Sequence, residues 1–189
     1  MSTPVPVIPA NVPARIRPLL LMTATAGLLL LGGLLASHLS AQPTVTASGG
    51  PVEIEVPEQW IVSMPADRHA VLGVRAIGGS ARISISILPG DDAVAAAASR
   101  MAQASQRLVM YSQVSQGEVM ASGWVWHTEE YVHVVPGRIP VVIRVRDHYR
   151  ATDGGVLLVG YSAASDEYDG SLEALETVLR SLTLGGEAP

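Results

Sequence analysis

The chain has 189 residues and carries 17 acidic and 12 basic side chains, for a formal net charge of −5 at pH 7. All basic residues are arginines, and the sequence contains no cysteine and no phenylalanine. The lack of cysteine excludes a disulfide scaffold, a cysteine zinc site, a thiol nucleophile and a thioether-linked lipid anchor. A hydrophobic fraction of 48% excludes a disordered chain. Every acidic residue lies at or after Glu53, and an acidic region without lysine is a poor counterion for phosphate backbones, so we expect no nucleic-acid partner.

The N-terminal segment predicts a cytoplasmic tail followed by a membrane anchor. Residues 1–18 contain five prolines and no apolar periodicity, which indicates a disordered tail. Residues 19–39 predict a transmembrane signal anchor, because the run from Leu19 to Ala36 is uncharged and rich in leucine. The 18 residues of this run would form a helix about 27 Å long, enough to cross the hydrocarbon core of a bilayer.

The arginines predict the orientation of the anchor. Arg15 and Arg17 precede the apolar run and the next basic residue is Arg68, so the positive-inside bias places the N-terminus in the cytoplasm. We therefore expect a single-pass cell-membrane protein that contacts the bilayer through residues 19–39 and has its C-terminal domain outside. The alternative is a signal peptide cleaved at residues 39–41. We favour the anchor, because the apolar run is longer than the hydrophobic region typical of signal peptides.

The remainder predicts a linker over residues 40–51, one extracytoplasmic domain over 52–184 and a tail over 185–189. In the first half of this domain, residues 82–87 alternate strictly between polar and apolar side chains, which indicates a strand with one buried face. Glycine- and proline-containing turns separate the apolar segments. The predicted strands of this half cover residues 52–56, 59–63, 71–77 and 81–88.

A helix, a long hairpin and a second helix follow. Asp91 or Asp92 is a natural N-cap for a helix to residue 108, whose predicted apolar face consists of Val94, Ala97, Ala98, Met101 and Leu108. The final helix begins after Asp169 or Ser171, ends near Leu182, and has a leucine-rich stripe. Between the helices, the predicted strands are one or two short ones in residues 108–122, a hairpin over 123–135 and 139–149, and a last strand over 156–162.

The hairpin allows a prediction of its register. A four-residue loop around Pro136-Gly137 would pair Glu129 with Arg144 and His127 with Arg146. This register leaves Glu130 on the core face, where burial would raise its pKa and where it has to reach either solvent or an arginine such as Arg75 or Arg82.

Residues 127–133 (HTEEYVH) form the densest polar cluster and raise the question of a metal site. His127 and His133 would lie about 20 Å apart along one strand, too far for one ion, so we predict a solvated ladder of charges and no metal. Glu130 remains a candidate ligand or partner contact.

Trp60, Trp124 and Trp126 are further candidate contacts, although in a chain without phenylalanine we favour them as fillers of the core. Residues 160–164 (GYSAA) resemble a nucleophile elbow, but no histidine follows Ser162, so the order of a hydrolase triad is missing. No glycine-rich phosphate loop or zinc-protease motif is present either. We therefore predict no catalytic residues and no cofactor.

The order of elements predicts an α+β fold in which an antiparallel sheet packs against helices. It resembles the PsbP-like fold of bacterial envelope proteins of the LpqN and DcrB kinds, an α/β/α sandwich. Residues 56–60 (VPEQW) are similar to the P-x-x-W opening of such domains, and residues 171–182 to their ending. The membrane helix followed by such a domain is also similar to the type VII secretion-associated family.

The resemblance implies a function without catalysis. We expect an accessory or scaffold protein that binds another envelope protein, in particular one of a secretion machinery. The alternative is a protein that binds a small ligand or lipid in a groove between sheet and helix. A protein-binding role predicts an exposed apolar patch, whereas a ligand-binding role predicts a concave pocket with a few polar groups.

Overall fold

The structure, a computed structural model, describes residues 43–63 and 69–185. Helix α1 spans Ala93–Arg107, helix α2 spans Leu172–Ser181, and a 3-10 turn at Asp169–Ser171 precedes α2. The strands are β1 (Thr44–Gly49), β2 (Val52–Pro57), β3 (Trp60–Ser63), β4 (Ala70–Ala76), β5 (Arg82–Leu88), β6 (Val109–Ala121), β7 (Trp124–Val135), β8 (Val141–Thr152), β9 (Gly155–Ala164) and β10 (Thr183–Leu184).

The predicted tail at residues 1–18 and the predicted anchor at 19–39 lie outside the described residues. Within the part of the chain that the structure describes, neither helix is long and apolar enough to cross a membrane. The signal anchor and the localisation that it implies stay predictions.

The strands form two antiparallel sheets where the sequence predicted one. The small sheet has the order β1-β2-β10, and the large sheet has the order β3-β4-β5-β9-β8-β7-β6. Strand β1 lies within residues 40–51, which were predicted as a linker. It pairs with β2 along its whole length, with Val45 opposite Val56, and it begins with the β-branched residues Thr44, Val45 and Thr46, which favour strands.

Strand β9 lies at the centre of the large sheet, and its sequence explains this position. Residues 156–159 (VLLV) are all buried, so the strand has apolar side chains on both faces. On one face of the sheet, which we call the α1 face, Val156 and Leu158 pack near Ala97 of α1. On the other, the α2 face, Leu157 and Val159 join α2 and the small sheet in the main apolar core.

Helix α1 begins as predicted but presents a narrower face than expected. The Asp92 carboxylate accepts hydrogen bonds from the backbone N–H groups of Val94 and Ala95 at 2.8 and 3.0 Å, which makes it the N-cap. Ala97 and Met101 are buried, whereas Val94 is 53% exposed and Ala98 is exposed as well. The small alanine side chains place the helix close to the sheet, and the sheet covers only a narrow strip of the helix surface.

Helix α2 follows its predicted stripe. Leu175, Val178 and Leu179 are buried against the main core, and the helix ends at Ser181 with Leu182 as its C-cap. Ser171 occupies the N-cap position without a capping hydrogen bond from its side chain. Residues 108–122, predicted as one or two short strands, instead contain β6, a single strand of 13 residues.

The predicted register of the β7–β8 hairpin is wrong. Val135 pairs with Val141, so the connection has five residues and begins and ends with proline. Pro140 has no N–H with which to extend the ladder, and the odd loop length changes which side chains face each other. Glu129 faces Asp147 rather than Arg144, and His127 faces Tyr149 rather than Arg146.

Candidate functional site

The predicted candidate residues do not come together in one site. Trp60 and Trp126 are buried in the main core, with 5% and 1% of their surface exposed, as their role as core fillers predicts. Trp124 is 41% exposed, and the guanidinium of Arg150 lies 4.1 Å above its ring centre. The prediction of a core filler is therefore wrong for Trp124, which lies on the surface, where a cation covers one face of its indole.

Glu130 lies on the α2 face at the centre of a charged cluster. Arg146 donates two hydrogen bonds to its carboxylate, at 2.6 and 3.0 Å, and Arg144 donates a third. These partners replace Arg75 and Arg82, which the sequence analysis named, because the register places Glu130 opposite Arg146. Burial acts to raise the pKa of Glu130, but the bonds from Arg146 and Arg144 outweigh burial and hold it below its usual value.

The cluster continues to the loop before α2. The guanidinium of Arg144 lies 4.3 Å from the ring centre of Tyr168 and 3.7 Å from the Asp169 carboxylate. Buried Tyr168 in turn packs on Tyr161, whose hydroxyl donates to the Tyr168 carbonyl oxygen at 2.7 Å. The cluster thus ties the hairpin to the segment that leads into α2. That Glu130 contacts a ligand or partner stays a prediction.

The polar side chains of residues 127–133 do not form the predicted solvated ladder of charges opposite arginines. Several of them contact one another or side chains of β6 instead. His127 Nε2 lies 3.1 Å from Glu129 Oε1, and Gln113 of β6 donates to Glu129 Oε2 at 3.0 Å. Glu129 is buried, so these contacts satisfy a carboxylate away from water. Over residues 43–63 and 69–185, no three histidine, aspartate or glutamate side chains are placed to hold a metal ion.

Asp147 is an ionisable side chain that the sequence analysis did not select. It is buried on the α1 face, and Tyr149 donates a hydrogen bond to its Oδ2 at 3.1 Å. Arg100 of α1 is 3.9 Å away, too far for a good hydrogen bond. Burial raises the pKa of Asp147 to about 6, against the opposing influence of Arg100. Only a prediction of the correct register could have placed Asp147 in the interior.

A groove lies on the α1 face beside the helix, with a volume of about 590 Å³. Ser84, Gly160 and Ser162 lie along it on adjacent strands. Its lining also contains Arg82, Arg100, Asp147 and His133. Ser162, the residue of the predicted elbow-like segment, therefore lies within β9 and not at a turn between strand and helix.

A second feature is the free edge of the large sheet, β6, which we call the β6 edge. The strand contains no proline and no basic residue, and Glu118 is its one charged side chain. Residues 115–121 pair with β7 without a break, whereas the register shifts twice before Ser115. Most exposed large apolar side chains among the described residues lie on β6, β7, β8 and the β7–β8 loop: Val109, Met110, Val114, Val119, Met120, Trp124, Val125, Val135, Ile139, Val141 and Val142.

The comparisons with known proteins agree with this architecture. No family model matches the sequence, and no curated protein matches it significantly. Among solved structures, the chain is similar to cyanobacterial PsbP (CyanoP) from Synechocystis sp. PCC 6803, with 18% identity, a TM-score of 0.51, and coverage of 75% of this chain and 92% of that one. It is also similar to the Ran-binding protein Mog1p of Saccharomyces cerevisiae, with 9% identity, a TM-score of 0.52, and coverage of 76% and 96%.

A third likeness is to LpqN of Mycobacterium tuberculosis, described as involved in cell envelope biogenesis, at 14% identity, a TM-score of 0.48, and coverage of 76% and 91%. The likeness to cyanobacterial PsbP confirms the PsbP-like fold that the sequence analysis expected. At these identities the comparisons show the fold alone, so the function has to be argued from the surface of this chain.

Proposed function

We propose that this protein is a membrane-anchored accessory protein without catalytic activity, which displays its domain outside the cell membrane and binds another envelope protein through the β6 edge. The observation that carries the proposal is a long, exposed and almost uncharged edge strand surrounded by exposed apolar side chains. Edge strands present unpaired N–H and C=O groups and are usually short or protected by charge. The opposite edge, β3, has four residues.

The partner that fits this surface is an extended protein segment that adds a strand to β6. Main-chain hydrogen bonds would supply affinity, and alternate side chains would contact apolar residues on the two faces. Val119 and Met120 present one apolar side chain to each face at adjacent positions. Because Glu118 is the only charge on the strand, the segment should carry a basic residue opposite it. We further propose that the partner belongs to a secretion machinery of the type VII kind, as the combination of apolar N-terminal run and PsbP-like domain supports.

The test places a photo-crosslinking amino acid at Met120 of the full-length, membrane-inserted protein. A matched probe at Val62 on β3 serves as control, since Val62 is also exposed, at 61%. We expect one protein to crosslink at Met120 and not at Val62, and Val119→Lys or Glu118→Arg to abolish the adduct. Equal adducts from both probes, or an adduct that survives both substitutions, would refute the β6 edge as the docking site. Mass spectrometry of the adduct then identifies the partner, and a partner outside any secretion machinery would refute the finer assignment.

The runner-up function, binding of a small ligand between sheet and helix, is supported by a separate observation, the groove beside α1. Its volume of about 590 Å³ lies within the range of ligand sites. It lies on the α1 face, opposite the face on which Glu130 lies.

A further inference from the structure

An arginine that lines the groove faces a second arginine on the neighbouring strand. Arg75 of β4 and Arg82 of β5 are a direct cross-strand pair, and both are exposed. Like charges in such a pair repel each other and destabilise the sheet. Within the described residues, neither guanidinium makes an ion pair with a carboxylate. An anion bound between them would relieve this repulsion.

The floor of the groove is kept open by small side chains. Ser84 pairs with Gly160, and Arg82 pairs with Ser162, so two adjacent rows of the sheet carry little side-chain volume. Gly160 cannot be replaced without a clash, because a Cβ atom there would lie 2.8 Å from Asp147 Oδ1 and 3.2 Å from Ser84 Oγ. The groove is thus a consequence of packing around the buried Asp147 carboxyl.

The groups that line the groove divide into a polar and an apolar part. Arg82 on β5 and Arg100 on α1 provide guanidinium donors from two separate elements, and Ser84 and Ser162 add hydroxyl groups. Asp147 is the one carboxyl group in the lining. The mainly apolar part runs along β7 and β8, where Val135, Val141, Ile143 and Val145 line the groove together with Tyr131 and His133.

This division matches a ligand with a charged head and an apolar chain. We propose that the groove binds an anionic amphiphile, with a phosphoryl head group held by Arg75, Arg82 and Arg100 and an apolar chain along Val141, Ile143 and Val145. Three guanidiniums offer more fork-shaped donors than the two oxygens of a carboxylate can use, whereas a phosphoryl group presents three oxygens. The serine hydroxyls provide further donors at the floor. The proposal concerns the α1 face and does not depend on binding at the β6 edge.

The first experiment uses the full-length protein in nanodiscs of zwitterionic lipid and a phosphatidic acid that carries a diazirine on its acyl chain. After irradiation, labelled peptides are mapped by mass spectrometry. We expect labelling in the peptides that contain Ile143 and Val145, and competition by unlabelled phosphatidic acid but not by diacylglycerol, which lacks the phosphate. Labelling confined to other peptides, or equal competition by diacylglycerol, would overturn the proposal.

The second experiment compares two variants that each remove one positive charge. Arg82→Gln should weaken binding of the probe about tenfold, because a charge-assisted hydrogen bond is lost. Arg180→Gln is the matched control, since Arg180 is exposed on α2, which packs on the other face of the sheet. Equal weakening by both variants would show non-specific attraction and overturn the site.

Inorganic phosphate tests the role of the apolar part. Phosphate alone should compete at least about a hundredfold more weakly than phosphatidic acid, because burial of each methylene group of an acyl chain adds to the affinity. Competition by phosphate at equal concentration would show a site for free phosphate and overturn the assignment of an amphiphile. Since Arg82→Gln leaves β6 unchanged, crosslinking from Met120 in this variant distinguishes a failure here from a failure of the proposed protein partner.

Discussion

Two adjacent residues of β8 should make opposite contributions to the pH dependence of stability. Burial raises the pKa of Asp147 to about 6 and lowers the pKa of His148 to about 4, from usual values of 3.8 and 6.5. Asp147 therefore contributes stability that is fully present below about pH 3.8 and is lost as the pH rises through 6. His148 contributes stability that is present above about pH 6.5 and is lost as the pH falls through 4.

The two contributions are similar in size. A pKa difference of about two units between native and unfolded states corresponds to about 3 kcal/mol for each residue. Between pH 4.5 and 6.5 each contribution changes by about 2 kcal/mol, in opposite directions. From these two residues alone, we expect the free energy of unfolding of the native protein to be nearly constant across this range.

Single substitutions should reveal how each residue makes the free energy of unfolding depend on pH. In Asp147→Asn, only His148 titrates, so the free energy of unfolding should rise by about 2 kcal/mol from pH 4.5 to 6.5. In His148→Phe, which keeps a ring next to Trp126, it should fall by about the same amount. The assay is urea unfolding of the full-length protein in nonionic detergent, followed by tryptophan fluorescence at several pH values. Parallel profiles for the native protein and both variants would refute the reasoning, because burial would then leave neither pKa displaced.

Three further substitutions test individual contacts. Asp92→Ala removes the cap of α1 and should lower the free energy of unfolding by about 1 kcal/mol, and an unchanged value would show that the cap contributes nothing. Gly160→Ala should lower the free energy of unfolding by about 1–3 kcal/mol, because the added methyl group meets Asp147. Gly154→Ala, which adds a methyl group in open space, should not lower it, and equal effects of the two substitutions would contradict the predicted clash. Glu130→Gln leaves two guanidiniums without their carboxylate and should lower the free energy of unfolding in urea by about 2 kcal/mol. A smaller loss in high salt would support the ion pairs, and no loss at all would contradict them.

Local patterns were sufficient for most helices and strands. The alternation of residues 82–87, the Asp92 cap and the stripe of α2 each depend on a few neighbouring residues, and the structure confirms all three. The small sheet was not predicted, because residues 40–51 were interpreted as a linker on their small and polar composition, although Thr44, Val45 and Thr46 favour a strand and pair with β2. The pattern of residues 109–121 did not reveal a single strand either, since both of its faces are exposed and alternation is absent.

The contacts of Glu130 and Asp147 depend on the register of the β7–β8 hairpin, which local sequence patterns do not determine. The prediction for Glu130 identified a core carboxylate that reaches solvent or an arginine, but the loop begins one residue later and is one residue longer than expected, so Glu130 lies opposite Arg146 and also contacts Arg144. The same change brought Asp147 to the α1 face beside Arg100. A strand has a period of two, so an error of one residue in loop length moves every side chain to a different neighbour. Turn geometry at Pro136 and Pro140 therefore decides the electrostatics of the whole hairpin.

Ionisable side chains are concentrated on β8, next to the central strand of the large sheet. β9 and β5 are held by ordinary apolar packing on α2 and the small sheet. β8 lies beside β9, yet residues 144–150 place ionisable groups on both of its faces, which costs desolvation at each position. A core needing only stability would place apolar side chains there, since these are as stabilising or more so. The ionisable residues of β8 are therefore not explained by stability alone, and this composition is what the two binding sites proposed above would lead one to expect on a strand between the groove and the β6 edge.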